Sequence, residues 1–348
     1  MAATFKKLGG DDTTTTRTLL HEAIPLTGTI VSGTYYTVSS DTQTNIKRYA
    51  HGMWESVYDY PYLSSSANHI FDLTVGYSAE SSLSSSSNFQ NSKKINIYNQ
   101  MAQVLVGFDE NGNVRRFDED GDHSGGTKMD EVFFVNYARL LNKDEIKKGS
   151  CTLSLFASGT VKSPTDKHTY GDYGAATSYK TNSPAGDYGL IRRGSDSGQI
   201  FGHVYYQAGV AVLTSSIFAG ASKFGPNNAS TGSAKTIDTC MAQLGITASC
   251  EGLRHRWSDN DFQNTTELNS TIYFCRANHN EFNYSSNPTY LSSSKLVVKN
   301  VSDDAPVSYV TTVGLYADDN ELLAVAKLSE PLKKDPTNEV TLRVRLDY

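Results

Sequence analysis

Residues 309–334, YVTTVGLYADDNELLAVAKLSEPLKK, decide how the chain is read. Two apolar runs flank the acidic turn ADDN. Tyr309, Thr311, Val313 and Leu315 fall on one face of the first run, and Val310, Thr312 and Tyr316 on the other. After the turn, Leu322, Ala324, Ala326 and Leu328 alternate with Leu323 and Val325. A hairpin wet on one side carries a polar residue at every second place. This one does not, so both its faces are expected to be covered, the second by an ordinary sandwich core or by another subunit. The closing strand, VTLRVRLDY, alternates cleanly, with Val340, Leu342, Val344 and Leu346 inward and Thr341, Arg343 and Arg345 outward.

Working outward, strands are expected in HIFDLTVGYS (69–78), EVFFVNYARLL (131–141) and CTLSLFAS (151–158). GQIFGHVYYQAGVAVLTSS (198–216) reads as a hairpin turning at Gln207–Gly209, and STIYFCRA (270–277) as a strand. The C-terminal region is read as strand at 295–299, 308–316, 321–328 and 339–347. Short helices are expected in 18–26, closed by Pro25, and in 45–62, where Met53/Val57 and Trp54/Tyr58 stack at i,i+4 spacing before Pro61. Further helices are read from Ile97 to the stop at Gly107, at 142–150 with Asn142 as N-cap, and at 234–245. Residues 78–92 read as a Ser-rich loop. The fold class is α+β, β-dominated, with antiparallel or sandwich-like sheets, a few short helices and long extended loops. Four segments follow: 1–66, extended and helical; 67–160, mixed; 161–197, an extended surface loop; and 198–348, β-rich and ending in the hairpin.

A net charge of −6 argues against nucleic-acid binding, which needs concentrated Lys and Arg. The basic residues come in scattered pairs, such as Arg115-Arg116 and Arg192-Arg193, and read as solvated surface. No stretch approaches the ~18–20 apolar residues of a membrane span. The N-terminal residues lack the apolar core of a signal peptide, which predicts synthesis in a cytoplasm. Cysteines 151, 240, 250 and 275 show no C-x-x-C pair and are expected to be buried small hydrophobes. GDHSGG (121–126) imitates a serine-protease signature, but His123 breaks its spacing. Asp118, Asp120 and Asp122 have the 1-3-5 spacing of a calcium loop, yet glycine stands at position 4 and Met129 at position 12, so a solvated acidic loop is expected. HRW (255–257) reads as a structural histidine in a polar surface. No catalytic set, metal or cofactor is expected.

The stretch VTTVGLYADDNELLAVAKLSEPLKK followed by VTLRVRL resembles a module recurring in tail-fibre and baseplate proteins of tailed bacteriophages. Residues 67–78, 93–108 and 273–290 are similar to virion structural proteins of large contractile-tailed phages, notably T4-like cyanophages. The resemblance implies a non-enzymatic structural protein of the virion, most directly of the tail baseplate. It would be made in the host cytoplasm and assembled in several symmetric copies against other tail proteins. The interface is expected at Val313, Leu315, Tyr316, Leu322, Leu323 and Val325. One rival is a receptor- or carbohydrate-binding tail protein, whose loop HTYGDYGAATSY (168–179) would stack on sugars through residues such as Tyr170. The other is a tail-associated peptidoglycan hydrolase, for which Glu110, Glu119 and Asp120 are the nearest carboxylates.

Overall fold

The computed structural model describes residues 5–26, 44–159, 166–194, 198–221, 223–225, 235–285, 291–292, 295–296 and 306–348. The expected strand at 295–299 is described only to residue 296. Antiparallel β-structure dominates, with a few short helices, so the chain is a β-dominated α+β fold. Its contacts form two units, Leu20–Thr266 and Met1–Leu19 with Glu267–Tyr348.

The larger unit contains β2 (Ile46–Arg48), β3 (Glu55–Tyr58), β4 (His69–Tyr77), α1 (Asn91–Leu105), β5 (Glu131–Tyr137), α2 (Arg139–Asn142) and β6 (Glu145–Ile146). It continues through β7 (Thr152–Phe156), β8 (Lys167–Gly171), β9 (Tyr188–Arg193), β10 (Ile200–Tyr205), β11 (Val210–Thr214), α3 (Ile237–Gln243) and α4 (Ile246–His255). Two long strands, β1 (Thr13–Pro25) and β12 (Trp257–Ala277), have residues in both units. The sheet order is β1-β12-β7-β8-β9-β10-β11-β5-β4-β3-β2.

Strands β4, β5 and β11 are near-continuous apolar runs because they are covered on both sides. Helix α1 lies on β4 and buries the stripe Lys94, Ile97, Tyr98, Ala102 and Leu105. The approach is close at Gly76, where a Cβ would stand 2.7 Å from the Lys94 carbonyl oxygen and 2.8 Å from the Tyr98 nitrogen. The sheet also curls back on itself. Phe71 of β4 stacks on Trp257 of β12 at 5.2 Å, and Tyr137 of β5 packs on Phe262 at 5.0 Å. Asn260 Nδ2 donates to the Tyr137 hydroxyl at 2.8 Å. Strands distant in the ladder thus share one aromatic core.

The structure overturns several expectations. Residues 18–26 are not a helix but the end of β1, a Thr-rich strand paired with β12. Pro25 sits at its last residue on the sheet edge, where a missing N–H is harmless. The 45–62 helix is instead the β2–β3 hairpin, because Gly52 turns the chain at φ +63° and Thr74 Oγ1 donates to the Met53 carbonyl at 2.6 Å. Asn142 closes α2 and does not cap a following helix; Glu145–Ile146 pairs with Asn264 and Thr265 of β12. Within 161–197 the surface-loop expectation fails at β8 and β9, which are inner strands with Tyr170 and Tyr188 buried, while the connection between them is largely exposed. His255 also lies inside, with Arg254, Arg256 and Trp257, where α4 meets β12. The Arg256 guanidinium is buried because carbonyls surround it, donating to Phe156 O at 2.7 Å and Gly159 O at 3.1 Å. All four cysteines are free; Cys151, Cys240 and Cys250 are buried and Cys275 half-buried.

In the smaller unit β17 (Val340–Asp347) pairs with β12 from Ser270 to Ala277. Its alternation is the one read from sequence, with Val344 buried and Arg343 and Arg345 exposed. Two small ladders complete the unit: β13 (Leu291–Ser292) with β14 (Lys295–Leu296), and β15 (Ser308–Tyr316) with β16 (Leu322–Lys334). Among the described residues no helix is long and apolar enough to cross a membrane.

Candidate interaction surface

The β15–β16 hairpin is closed by ADDN. Ala317 N donates to Glu321 O at 2.9 Å and Asn320 N to Ala317 O at 3.0 Å, while Asn320 takes φ +67°, a conformation asparagine tolerates. At its other end Lys334 is fully buried, and its amine donates to Asn283 Oδ1 at 2.8 Å, Asp335 O at 3.0 Å and His279 O at 3.3 Å. Ser308 Oγ donates to Phe282 O beside it. The next turn is tied by Asp335, whose carboxylate accepts from Thr337 Oγ1 and N; these bonds and Lys333 hold it down to about 2.

Register separates the two faces. Val313 opposes Ala326 and Leu315 opposes Ala324, and these four residues are half-buried. Gly314 opposes Val325 and Tyr316 opposes Leu322 on the other side. That side is open among the described residues: Leu323 is 66% exposed, Val325 52%, Leu322 49% and Tyr316 45%. Gly314 leaves room for its neighbours, since a Cβ there would meet the Tyr316 ring at 2.9 Å and Leu322 Cδ1 at 3.4 Å. Phe5, itself 43% exposed, lies against Tyr316 at 4.6 Å between ring centroids. The expectation of a sandwich core covering both faces is therefore not met among the described residues. One face is half-shielded, and the other presents a contiguous apolar patch of Phe5, Tyr316, Leu322, Leu323 and Val325.

The residues weighed for other chemistry lie elsewhere. Asp118, Asp120 and Asp122 do converge, with ligand atoms all within 4.8 Å. Lys128 Nζ already stands 2.9 Å from Asp118 Oδ1 and supplies the positive charge. Burial pushes the Asp118 carboxyl up against that ammonium, while the Ser124 N–H holds Asp122 down. Of the three candidate hydrolase carboxylates, Glu110 is exposed in the turn Asp109–Asn113. Glu119 and Asp120 share the 118–128 loop, where Glu119 N donates to Thr127 O at 2.9 Å. Tyr170 is 1% exposed, its ring edge-on to Phe201 inside the sheet, so it offers no face to a sugar.

A cavity of about 120 Å³ does open beside the buried part of that segment. It lies between the turn after β8 and the face of β9, with Tyr173 and Tyr179 at its walls and Lys180, Leu190 and Arg192 along it. The sequence pointed to the loop 168–179, which holds Tyr173 and Tyr179, but not to Lys180, Leu190 and Arg192, which join it through the β8–β9 connection. No family model matches the chain, and neither a characterised protein nor a solved structure was found similar to it.

Proposed function

We propose that the chain is a non-enzymatic structural component of a contractile phage tail, placed in the baseplate, whose terminal hairpin is completed by neighbouring subunits. The observation that carries this reading is the open face of β15–β16. Four large apolar side chains there remain in contact with water on a hairpin firmly rooted at Lys334. A contiguous exposed apolar patch is the kind of surface that a protein partner covers. The resemblance of residues 310–334 and 340–346 to a tail module supports a tail assembly. The polar, β-rich composition suits a part held by its neighbours.

The test is an averaged map of intact tails, with tails built from the double variant Leu323→Glu/Val325→Glu as the comparison. Density for the chain in the baseplate, with a neighbour seated on the hairpin's open face, is expected. The double variant is expected to drop out of assembled tails at least about tenfold, because each charge would be desolvated in the contact. Normal incorporation of that variant, or absence of the chain from purified tails, overturns the proposal.

A further inference from the structure

The cavity beside β9 is a different kind of surface from the hairpin, and its argument stands apart from the assembly reading. Its walls are rigid. Asp172 is buried and ties the turn down, accepting from Gly149 N at 2.7 Å, Cys151 N at 2.9 Å and the Tyr206 hydroxyl at 2.9 Å. Ala175 N and Ser178 N close the turn onto Asp172 O and Gly174 O, and Lys180 exchanges both backbone hydrogen bonds with Tyr188. Tyr179 is fixed from outside by Lys148, whose ammonium sits 3.9 Å from the ring centroid and pairs with Asp187 at 2.5 Å. The recess is thus shaped before any ligand arrives, which lowers the ordering cost of binding.

Its chemistry is as specific as its shape. Lys148 and Arg193, close by in the sequence or the fold, are each engaged, the latter against His168 at 2.8 Å. Lys180 and Arg192 are not ion-paired among the described residues, and the buried Arg192 Nε has no hydrogen-bond partner among them. Two uncommitted cations beside one small recess, in a chain of net charge −6, mark a place for an anion. The rest of the lining is Gly174, Ala175, Leu190, two tyrosine rings and the Ser178 hydroxyl, which suits a ring with an apolar face and hydroxyl edges. At about 120 Å³ the recess is well below the ~300–1,000 Å³ of drug-sized sites, so it takes one ring and no more.

We infer that this recess binds one carboxylate-bearing sugar residue, a uronic acid, either free or as a unit of an acidic polysaccharide. The carboxylate meets Arg192 and Lys180, and the ring lies against Tyr173 and Tyr179.

Titration of the full chain with galacturonic acid, its trisaccharide and the neutral galactose counterparts tests this, followed by calorimetry and chemical-shift mapping. Saturable binding of the uronates is expected, at least about tenfold tighter than of the neutral sugars, with shifts confined to 173–180 and 188–192. Tighter binding of the trisaccharide than of the monosaccharide assigns the polysaccharide source; equal affinity assigns the free sugar. Arg192→Gln and, at the rim, Lys180→Gln are each expected to weaken uronate binding about fivefold or more with an unchanged thermal midpoint. Tyr179→Ala lowers affinity for the ring while sparing salt dependence. Equal affinity for the neutral sugars, displacement of bound uronate by inorganic phosphate at equal concentration, no saturable binding, or binding that survives both cation substitutions overturns the inference.

Discussion

Glu55 is wholly buried on β3, with Arg48 Nε 3.1 Å from one carboxylate oxygen and Arg254 Nε 3.7 Å from the other. Arg48 also pairs with Glu251 of α4. Burial outweighs the two guanidinium groups and pushes the Glu55 carboxyl up to about 7. His203, buried on β10 near the Glu119 carbonyl, is driven the other way, to about 4. The two act oppositely in one window. Between about pH 4.5 and 7 the folded chain keeps a proton at Glu55 that the unfolded chain releases, so Glu55 favours folding at low pH and that contribution is lost as pH rises. Between about 6.5 and 4 the unfolded chain takes a proton at His203 that the folded chain refuses, so stability from that site is lost as pH falls. Urea unfolding of Glu55→Gln between about pH 5 and 6 is expected to show a slope of stability against pH more positive by up to about 1.4 kcal/mol per unit, and His203→Gln one more negative by the same amount. An unchanged slope in either variant removes that assignment. These groups were invisible in the sequence for a simple reason. Glu55, Lys94, Arg254 and Arg256 are residue types that stand on surfaces, and only the tertiary structure supplies the carbonyls and counter-charges that let them inside.

Elements whose own pattern matched their final environment could be read directly. The apolar runs at 69–77, 131–137 and 200–214 became β4, β5 and the β10–β11 hairpin, and Gly209 turns that hairpin at φ +66°. The helix ending before Gly107 was also legible, though it starts at Asn91, because Ile95 and Ile97 mimic strand alternation. Failures came where a local helical spacing lost to a distant partner. Met53/Val57 and Trp54/Tyr58 have the i,i+4 relation, but the β4 ladder claims Glu55–Tyr58. Likewise TLLHEAI has helical spacing, and β12 draws it out straight. The close seat of α1 on β4 gives a sharp test. Gly76→Ala would force a methyl group to within 3 Å of helix backbone, which has no rotamer to escape into. The variant is expected to lose about 1–3 kcal/mol of stability in chemical denaturation, with α1 displaced; a loss below about 0.5 kcal/mol would contradict this packing.

At the largest scale, β12 is a strand that four others join among the described residues. Along one edge it receives β7, β6 and β17 in succession, and along the other it receives β1. Such pairings join segments from about 60 to about 256 residues apart, which is why many strands were legible and strand order was not. Strand β1 is exposed along nearly all of its length, so it contributes little apolar burial of its own. Its value is to close the β12 edge with threonines, Arg17, His21 and Glu22, a composition that discourages further pairing. A variant lacking residues 1–26 is expected to keep most of its far-ultraviolet dichroism yet to self-associate in light scattering at concentrations where the full chain does not. A truncated chain with the full chain's scattering mass would show that β1 is dispensable for edge protection. The hairpin's candidate residues were named from sequence, but not which side would stay open; that followed from register, with Gly314 and Val325 opposed.

The sealed amine of Lys334 carries one more consequence. An acylating reagent cannot reach it while Asn283, His279 and Asp335 surround it, whereas Lys327 on the same strand is exposed and labels freely. The labelling rate at position 334 relative to 327 therefore clocks how often the ribbon lifts from its root. Under the proposed tail role, a burst of modification at Lys334 during contraction is the expected sign of that movement.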